Sequence, residues 1–111
     1  MWNKEQYAKY HKEVCDKMHA TTLAKNADYT GGSEDPFFNF TRVEALGIAT
    51  AEVGFLTRMS DKFSRITTFV TKGVLKVKDE SVEDTLIDLA NYCILMAAYI
   101  KSKREAHEAS R

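Results

Sequence analysis

The 111-residue sequence holds one proline and five glycines, and the proline and two of the glycines fall together between Gly31 and Pro36. Excess charge of either sign is absent, because sixteen Lys and Arg balance sixteen Asp and Glu. A neutral chain exerts no overall pull on nucleic acid or on a membrane surface, which disfavours both as partners. Cysteine is scarce: Cys15 and Cys93 stand far apart, form no CxxC or metal-like spacing, and read as buried, reduced thiols. The longest apolar run, Leu86 to Ile100, is interrupted by Asp88 and Asn91 and falls short of the roughly 20 residues a bilayer span requires. The N-terminus, with Trp2, Lys4 and Glu5, lacks the apolar stretch of a secretion signal, so a cytoplasmic location is expected. No Walker loop, HExxH, GxSxG or dinucleotide fingerprint occurs, which sets those enzyme classes aside.

About 44% of the residues are apolar and 11% aromatic, enough for the core of one domain spanning 1–111. A chain this short buries only about 60–68% of its unfolded surface, so association with further copies would stabilise it. The spacing predicts an all-α bundle of three long helices and one short one. The first runs from about Asn3 to Ala24, with Tyr7, Tyr10, His11, Val14, Met18 and Thr21 on one face. Residues 25–40 break the periodicity with Gly31, Gly32, Ser33, Pro36 and three phenylalanines, and read as a long functional loop.

Thr41-x-x-Glu44 has the form of a capping box and predicts a short helix ending near Gly47. Thr50 opens the next helix, which Gly73 stops, with Phe55/Leu56, Met59, Phe63, Ile66 and Val70 as its apolar stripe. The β-branched run Ile66 to Thr71 weakens its second half, and residues 74–79 read as an extended connector. Ser81, with Glu83 and Asp84 in the first turn, starts the last helix, which runs to about Lys103 and leaves 105–111 as a frayed tail.

The last helix carries an anomaly. Its apolar stripe, Leu86, Leu89/Ala90, Cys93, Ala97 and Ile100, broadened by Ile87, Ile94 and Ala98, predicts near-complete burial. Yet Asp84, Asp88 and Asn91 stack on one line of it. A desolvated carboxylate needs a cation or several donors. The middle helix offers the complement, with Arg58, Asp61/Lys62 and Arg65 at three- and four-residue spacing. If the two helices pack antiparallel, the acidic line faces the basic one. That pattern fits an interhelical salt-bridge network with no ligand. It equally fits a phosphate site in which carboxylates hold Mg²⁺ and the basic groups hold phosphate, with Glu80 as a further ligand. Lys25, Asn26, Asp28 and Tyr29 add a cation, an amide, a carboxylate and a ring able to stack on a base.

The stretches Lys25-Asn-Ala-Asp-Tyr, Asp35-Pro-Phe-Phe-Asn-Phe, Arg58-Met-Ser-Asp-Lys-x-x-Arg65 and Asp79-Glu-Ser-Val-Glu-Asp-Thr-Leu-Ile-Asp-Leu-Ala-Asn-Tyr92 resemble the nucleotide modification associated domain 1 family, small proteins common in phages and bacteria. The resemblance runs from about Leu23 to Tyr99. Through it the chain looks related to the all-α MazG-like nucleotide pyrophosphohydrolases, helical oligomers that use Mg²⁺ on helix-borne carboxylates. It implies nucleotide binding by Lys25, Asn26, Asp28, Tyr29, Arg58, Lys62, Arg65, Asn91 and Tyr92. Asp84 and Asp88 match the second acidic motif of those hydrolases; with Asp61 they are the residues expected to carry hydrolysis, and with Glu80 those expected to hold a metal. The EExxE cluster of those hydrolases is reduced here to Glu52 and Asp61, nine residues apart and pointing in different directions. A non-catalytic binder that sequesters a nucleotide signal, cyclic or linear, as in phage anti-defence, is therefore the alternative expectation, beside a purely structural helical module.

Overall fold

The structure is a computed structural model that describes residues 1–29, 34–74 and 80–111, with side chains for all of these except 26–29. Among the described residues there are four helices and no strand: α1 (Lys4–Tyr29), α2 (Phe38–Ala45), α3 (Ala51–Lys72) and α4 (Val82–Ala109). The all-α expectation of three long helices and one short one holds. The chain divides into two compact units, Met1–Pro36 and Phe37–Arg111.

The first unit is α1. Asn3 and Gln6 cap it reciprocally: the Gln6 N–H donates to Asn3 Oδ1 and the Asn3 N–H to Gln6 Oε1, both at 2.9 Å. The helix passes the expected stop at Ala24 and continues to Tyr29, since no glycine or proline interrupts it. Cys15 is exposed rather than buried, with its sulfur 3.8 Å from His11 Nε2 one turn back.

The second unit is an antiparallel helical hairpin of α3 and α4 with α2 laid against α3. Thr50 caps α3 by accepting the Val53 N–H at 3.2 Å. Gly73 ends it with φ of 76°, a left-handed conformation that glycine adopts without strain. The β-branched segment stays helical, and the Thr67, Thr68 and Thr71 hydroxyls each bond back to a carbonyl one turn earlier. Residues 75–79, most of the predicted connector, lie outside the described residues. Ser81 and Asp84 form the full capping box that opens α4. The helix continues to Ala109, so most of the expected tail is helical.

Thr41 does not cap α2. The Phe37 carbonyl accepts the N–H groups of Phe40 and Thr41 at 2.8 and 2.9 Å, which starts the helix at Phe38. Glu44 instead accepts the Ala51 N–H at 3.2 Å and so ties α2 to the start of α3.

The core is small and aromatic. Phe40 stacks on Phe55 with ring centroids 3.8 Å apart, and Tyr99 meets Phe55 and Phe37 at 5.6 and 5.4 Å. Among the described residues only Phe40, Ala51, Phe55, Thr85 and Tyr99 are buried. The predicted apolar stripes are split by this packing. Phe55 is buried, but Leu56, Phe63 and Val70 are exposed. On α4 the expected buried stripe points outward: Leu86, Ala90, Cys93, Ala97 and Ile100 are all exposed. The cause is that α4 turns Thr85, Tyr92, Met96 and Tyr99 toward its neighbours. Cys93, expected to be buried, is exposed for the same reason.

Candidate functional site

Partner pairs along the hairpin descend on one helix as they rise on the other: Glu52 with Lys103, Phe55 with Tyr99, Lys62 with Asp88 and Arg65 with Glu80. The helices are therefore antiparallel, and of the acidic and basic lines Asp88 and Lys62 meet, while Arg65 turns to Glu80 and Asp61 and Asp84 caps its own helix. Lys62 Nζ lies 3.3 Å from Asp88 Oδ2, the lysine largely covered and the aspartate partly open. Arg65 is forked. One nitrogen meets Glu80 Oε2 at 3.1 Å, and the other meets Asp61 Oδ2 at 3.3 Å on its own helix.

Glu80 is the organising group. Its second oxygen accepts the Thr85 hydroxyl at 2.9 Å, and Thr85 is fully buried. Thr85 was not legible as part of a site. Its only signal in the sequence is a hydroxyl one turn after the Ser81 cap. The result is a chain from Thr85 through Glu80 to Arg65 and Asp61, with Lys62–Asp88 beside it. Arg58 lies one turn earlier on α3 and is exposed. Arg58, Asp61 and Arg65 thus share one edge of the helix.

The remaining candidates are placed as follows. Asn91 is half-buried on α4. Tyr92 is half-buried and packs edge-on against Phe40 at 6.3 Å, which makes it part of the core cluster rather than a free stacking ring. Lys25 is exposed on α1, and Asn26, Asp28 and Tyr29 are helical there with side chains outside the described set. These four belong to the first unit and the rest to the second.

Asp84, Asp88 and Glu80 do not converge. Asp84 Oδ2 accepts the Ser81 N–H at 3.3 Å, Asp88 meets Lys62, and both Glu80 oxygens are engaged. Among the described residues no group of three or more His, Cys, Asp or Glu side chains is gathered closely enough to hold a metal ion. Magnesium needs oxygen ligands that face a common point. The donors implied for it by resemblance do not fit in this arrangement, because each already serves a cation or a helix cap.

At the far end of the hairpin a second polar cluster, also unforeseen, joins Glu52, Lys103 and Tyr99. Lys103 Nζ donates to Glu52 Oε2 at 3.1 Å. That hydrogen bond holds the Glu52 carboxyl below the usual carboxylate range and pushes the Lys103 ammonium up. Burial, and then the Glu52 charge, push the Tyr99 phenol up. No described helix is long and apolar enough to cross a membrane.

Residues 48–101 match the family model of nucleotide modification associated domain 1. The match takes in α3, most of α4 and every residue of the hairpin site, and begins after the Lys25–Tyr29 and Asp35–Phe40 stretches. No curated protein and no solved structure matches the chain.

Proposed function

Residues 48–101 form a nucleotide modification associated domain 1, and from that premise we propose that the protein binds a nucleoside phosphate on the α3 edge without hydrolysing it. The observation that carries this reading is the commitment of the carboxylates: Asp61, Glu80 and Asp88 each hold one of the cations Lys62 and Arg65. In that arrangement they position positive charge rather than gather a metal.

Asp61 and Asp88 are substantially open to water, so their ion pairs contribute only about 0–1 kcal/mol each. Charge-assisted bonds from Arg or Lys to phosphate are roughly twice as strong as neutral ones. A phosphate can therefore displace Asp61 from Arg65 and Asp88 from Lys62, while the partly covered Glu80 keeps Arg65 in place. Arg58 supplies a third cation, and Asn91 an amide for base or sugar. Lys25, Asn26, Asp28 and Tyr29 belong to the first unit, and their assignment to nucleotide binding rests on the resemblance and on their residue types alone. The biological role that suits a binder of this kind is sequestration of a nucleotide, cyclic or linear, in the cytoplasm of a bacterium or a phage-infected host. The reading includes a homo-oligomer, dimer or higher.

The resemblance to the MazG-like hydrolases implies the competing expectation, Mg²⁺-dependent pyrophosphohydrolysis through Asp61, Asp84 and Asp88. The experiment that separates the two is a nucleotide panel by thermal shift, with Mg²⁺ and with EDTA, followed by chromatography of each stabilising ligand. A binder raises the melting temperature in EDTA and returns the ligand intact. A ligand returned shortened only when Mg²⁺ is present replaces this reading with the hydrolytic one.

A further inference from the structure

The most apolar face of the hairpin points away from everything that it packs on. α3 turns Phe55, Met59 and Lys62 toward α4, which answers with Asp88, Tyr92, Met96 and Tyr99. One residue along a helix is a rotation of about 100°. A single step forward from these facing positions, and from their continuations one turn on, gives Leu56, Ser60, Phe63, Thr67 and Val70 on α3. On α4 the same step from Thr85, Tyr92, Met96 and Tyr99 gives Leu86, Cys93, Ala97 and Ile100, and Ala90, one turn on from Leu86, completes the stripe. All ten are exposed and none is charged. Phe63 is 64% and Val70 75% accessible.

In an antiparallel pair of right-handed helices, one step forward on each turns to the same side. The two stripes therefore form one continuous face. A step backward gives Arg58, Asp61 and Arg65 with Asp84 and Asn91, so the polar site occupies the other side of the hairpin.

We propose that this face is the interface with a second copy of the chain, which closes a four-helix bundle and leaves the polar side open. This deepens the self-association part of the functional reading and does not depend on the nucleotide part. The argument for a second copy is that the face is complementary to itself. The partner pairs Glu52–Lys103, Phe55–Tyr99 and Lys62–Asp88 set which residues stand at equal height. Averaged over these pairs, and to within about one turn, Leu56 is level with Ala97, Ser60 with Cys93, Phe63 with Ala90 and Thr67 with Leu86. A two-fold axis along the bundle lays α3 of one copy over α4 of its partner at the same height. Leu56 and Phe63 then enter the spaces above the partner's Ala97 and Ala90, large against small, and symmetry repeats each contact.

Charge points the same way. With no charged residue among the ten, pairing the face with itself brings no like charges together, whereas an acidic or basic partner would find no counter-ion. The face runs about 21 Å along helices each about 10 Å across, or about 400 Å² in projection. Its corrugated accessible area is larger, of the order of the roughly 800 Å² per partner of a standard interface.

The test uses the full chain. Wild type is expected to sediment as a dimer or a multiple of one at micromolar concentration, and Phe63→Glu or Ala90→Glu to sediment as monomer with helical circular dichroism retained. In a Cys15→Ser background, Ser60→Cys should oxidise to a covalent dimer with the partner's Cys93, while Cys15→Ser alone should not. Where a glutamate variant loses its helicity, the covalent dimer decides. A wild-type oligomer that survives both glutamate variants and yields no covalent dimer overturns this face and leaves self-association standing. A wild type that sediments only as monomer overturns both, and the nucleotide panel is read independently of either.

Discussion

The Thr85 hydroxyl donates to Glu80 Oε1 at 2.9 Å while Arg65 holds Glu80 Oε2 at 3.1 Å, so a buried, uncharged side chain fixes the position of the site's forked cation. Thr85→Val keeps the shape and removes the donor, which leaves a partly covered carboxylate oxygen unsatisfied. The expected loss is about 1–3 kcal/mol of unfolding free energy in a urea titration. Nucleotide affinity should fall with it, because Arg65 loses its fixed counter-ion. Unchanged stability in Thr85→Val would show that water replaces the hydroxyl at no cost.

Arg65→Ala and Arg58→Ala each remove a phosphate donor under the proposed function. A charge-assisted hydrogen bond contributes about 1.5–3 kcal/mol, which converts to a roughly 10- to 100-fold rise in Kd by calorimetry. The rise should shrink as salt is added. Equal affinity for Arg58→Ala at low salt would remove that residue from the site.

Asp88→Asn separates binding from hydrolysis. In the proposed reading Asp88 competes with phosphate for Lys62, so its neutralisation leaves nucleotide affinity equal or slightly tighter, measured in EDTA. In the hydrolytic expectation the same change abolishes turnover. A loss of affinity in EDTA for Asp88→Asn contradicts its role as a displaceable counter-ion.

Phe55→Ala removes the fully buried ring on which Phe40 stacks and Tyr99 rests. The expected cost is about 3–5 kcal/mol, from lost transfer energy and the cavity left behind. In a core this small that loss should lower the melting temperature steeply. Phe63→Ala, on the exposed side, should cost far less in a monomeric state.

The Glu52–Lys103 pair predicts a shallow pH dependence. Glu52 is depressed by Lys103, so its contribution is present above the unfolded carboxylate value and is lost as pH falls through the folded one. Lys103 is raised by Glu52, so its contribution is present below the unfolded lysine value and is lost as pH rises through the folded one. The link is at full strength between about pH 5 and pH 10. Both groups are more than a third open to water, so the effect on melting temperature is small. Melting curves of wild type and Glu52→Gln should differ near neutrality and converge only once the pH has fallen through the depressed Glu52 value, below the usual carboxylate range. A gap that stays constant into acid would assign it to packing instead.

The sequence by itself determined the helices and their punctuation. Thr50, Gly73, Ser81 and Asp84 act through hydrogen bonds and backbone angles within a turn of themselves, so their roles are legible from neighbours alone. Spacing put Asp88 and Lys62 on lines that can meet in an antiparallel pair, while the register that joins them came from the packing. Where a short-range rule met a tertiary competitor, it lost. Thr41 had the right residues for a cap, but the Phe37 carbonyl and the docking of Phe40 on Phe55 started α2 earlier. Only the tertiary structure decided which side of α4 is covered. A helix apolar on most of its surface between Leu86 and Ile100 has no periodicity that singles out one face. The choice fell to Tyr92 and Tyr99, whose rings fill the aromatic cluster with Phe37, Phe40 and Phe55. That choice turned Cys93 and its neighbours outward, and set Arg65 in contact with Glu80 across 15 residues of chain. No local rule reaches that far, because the contact depends on where two helices meet and not on what either one prefers.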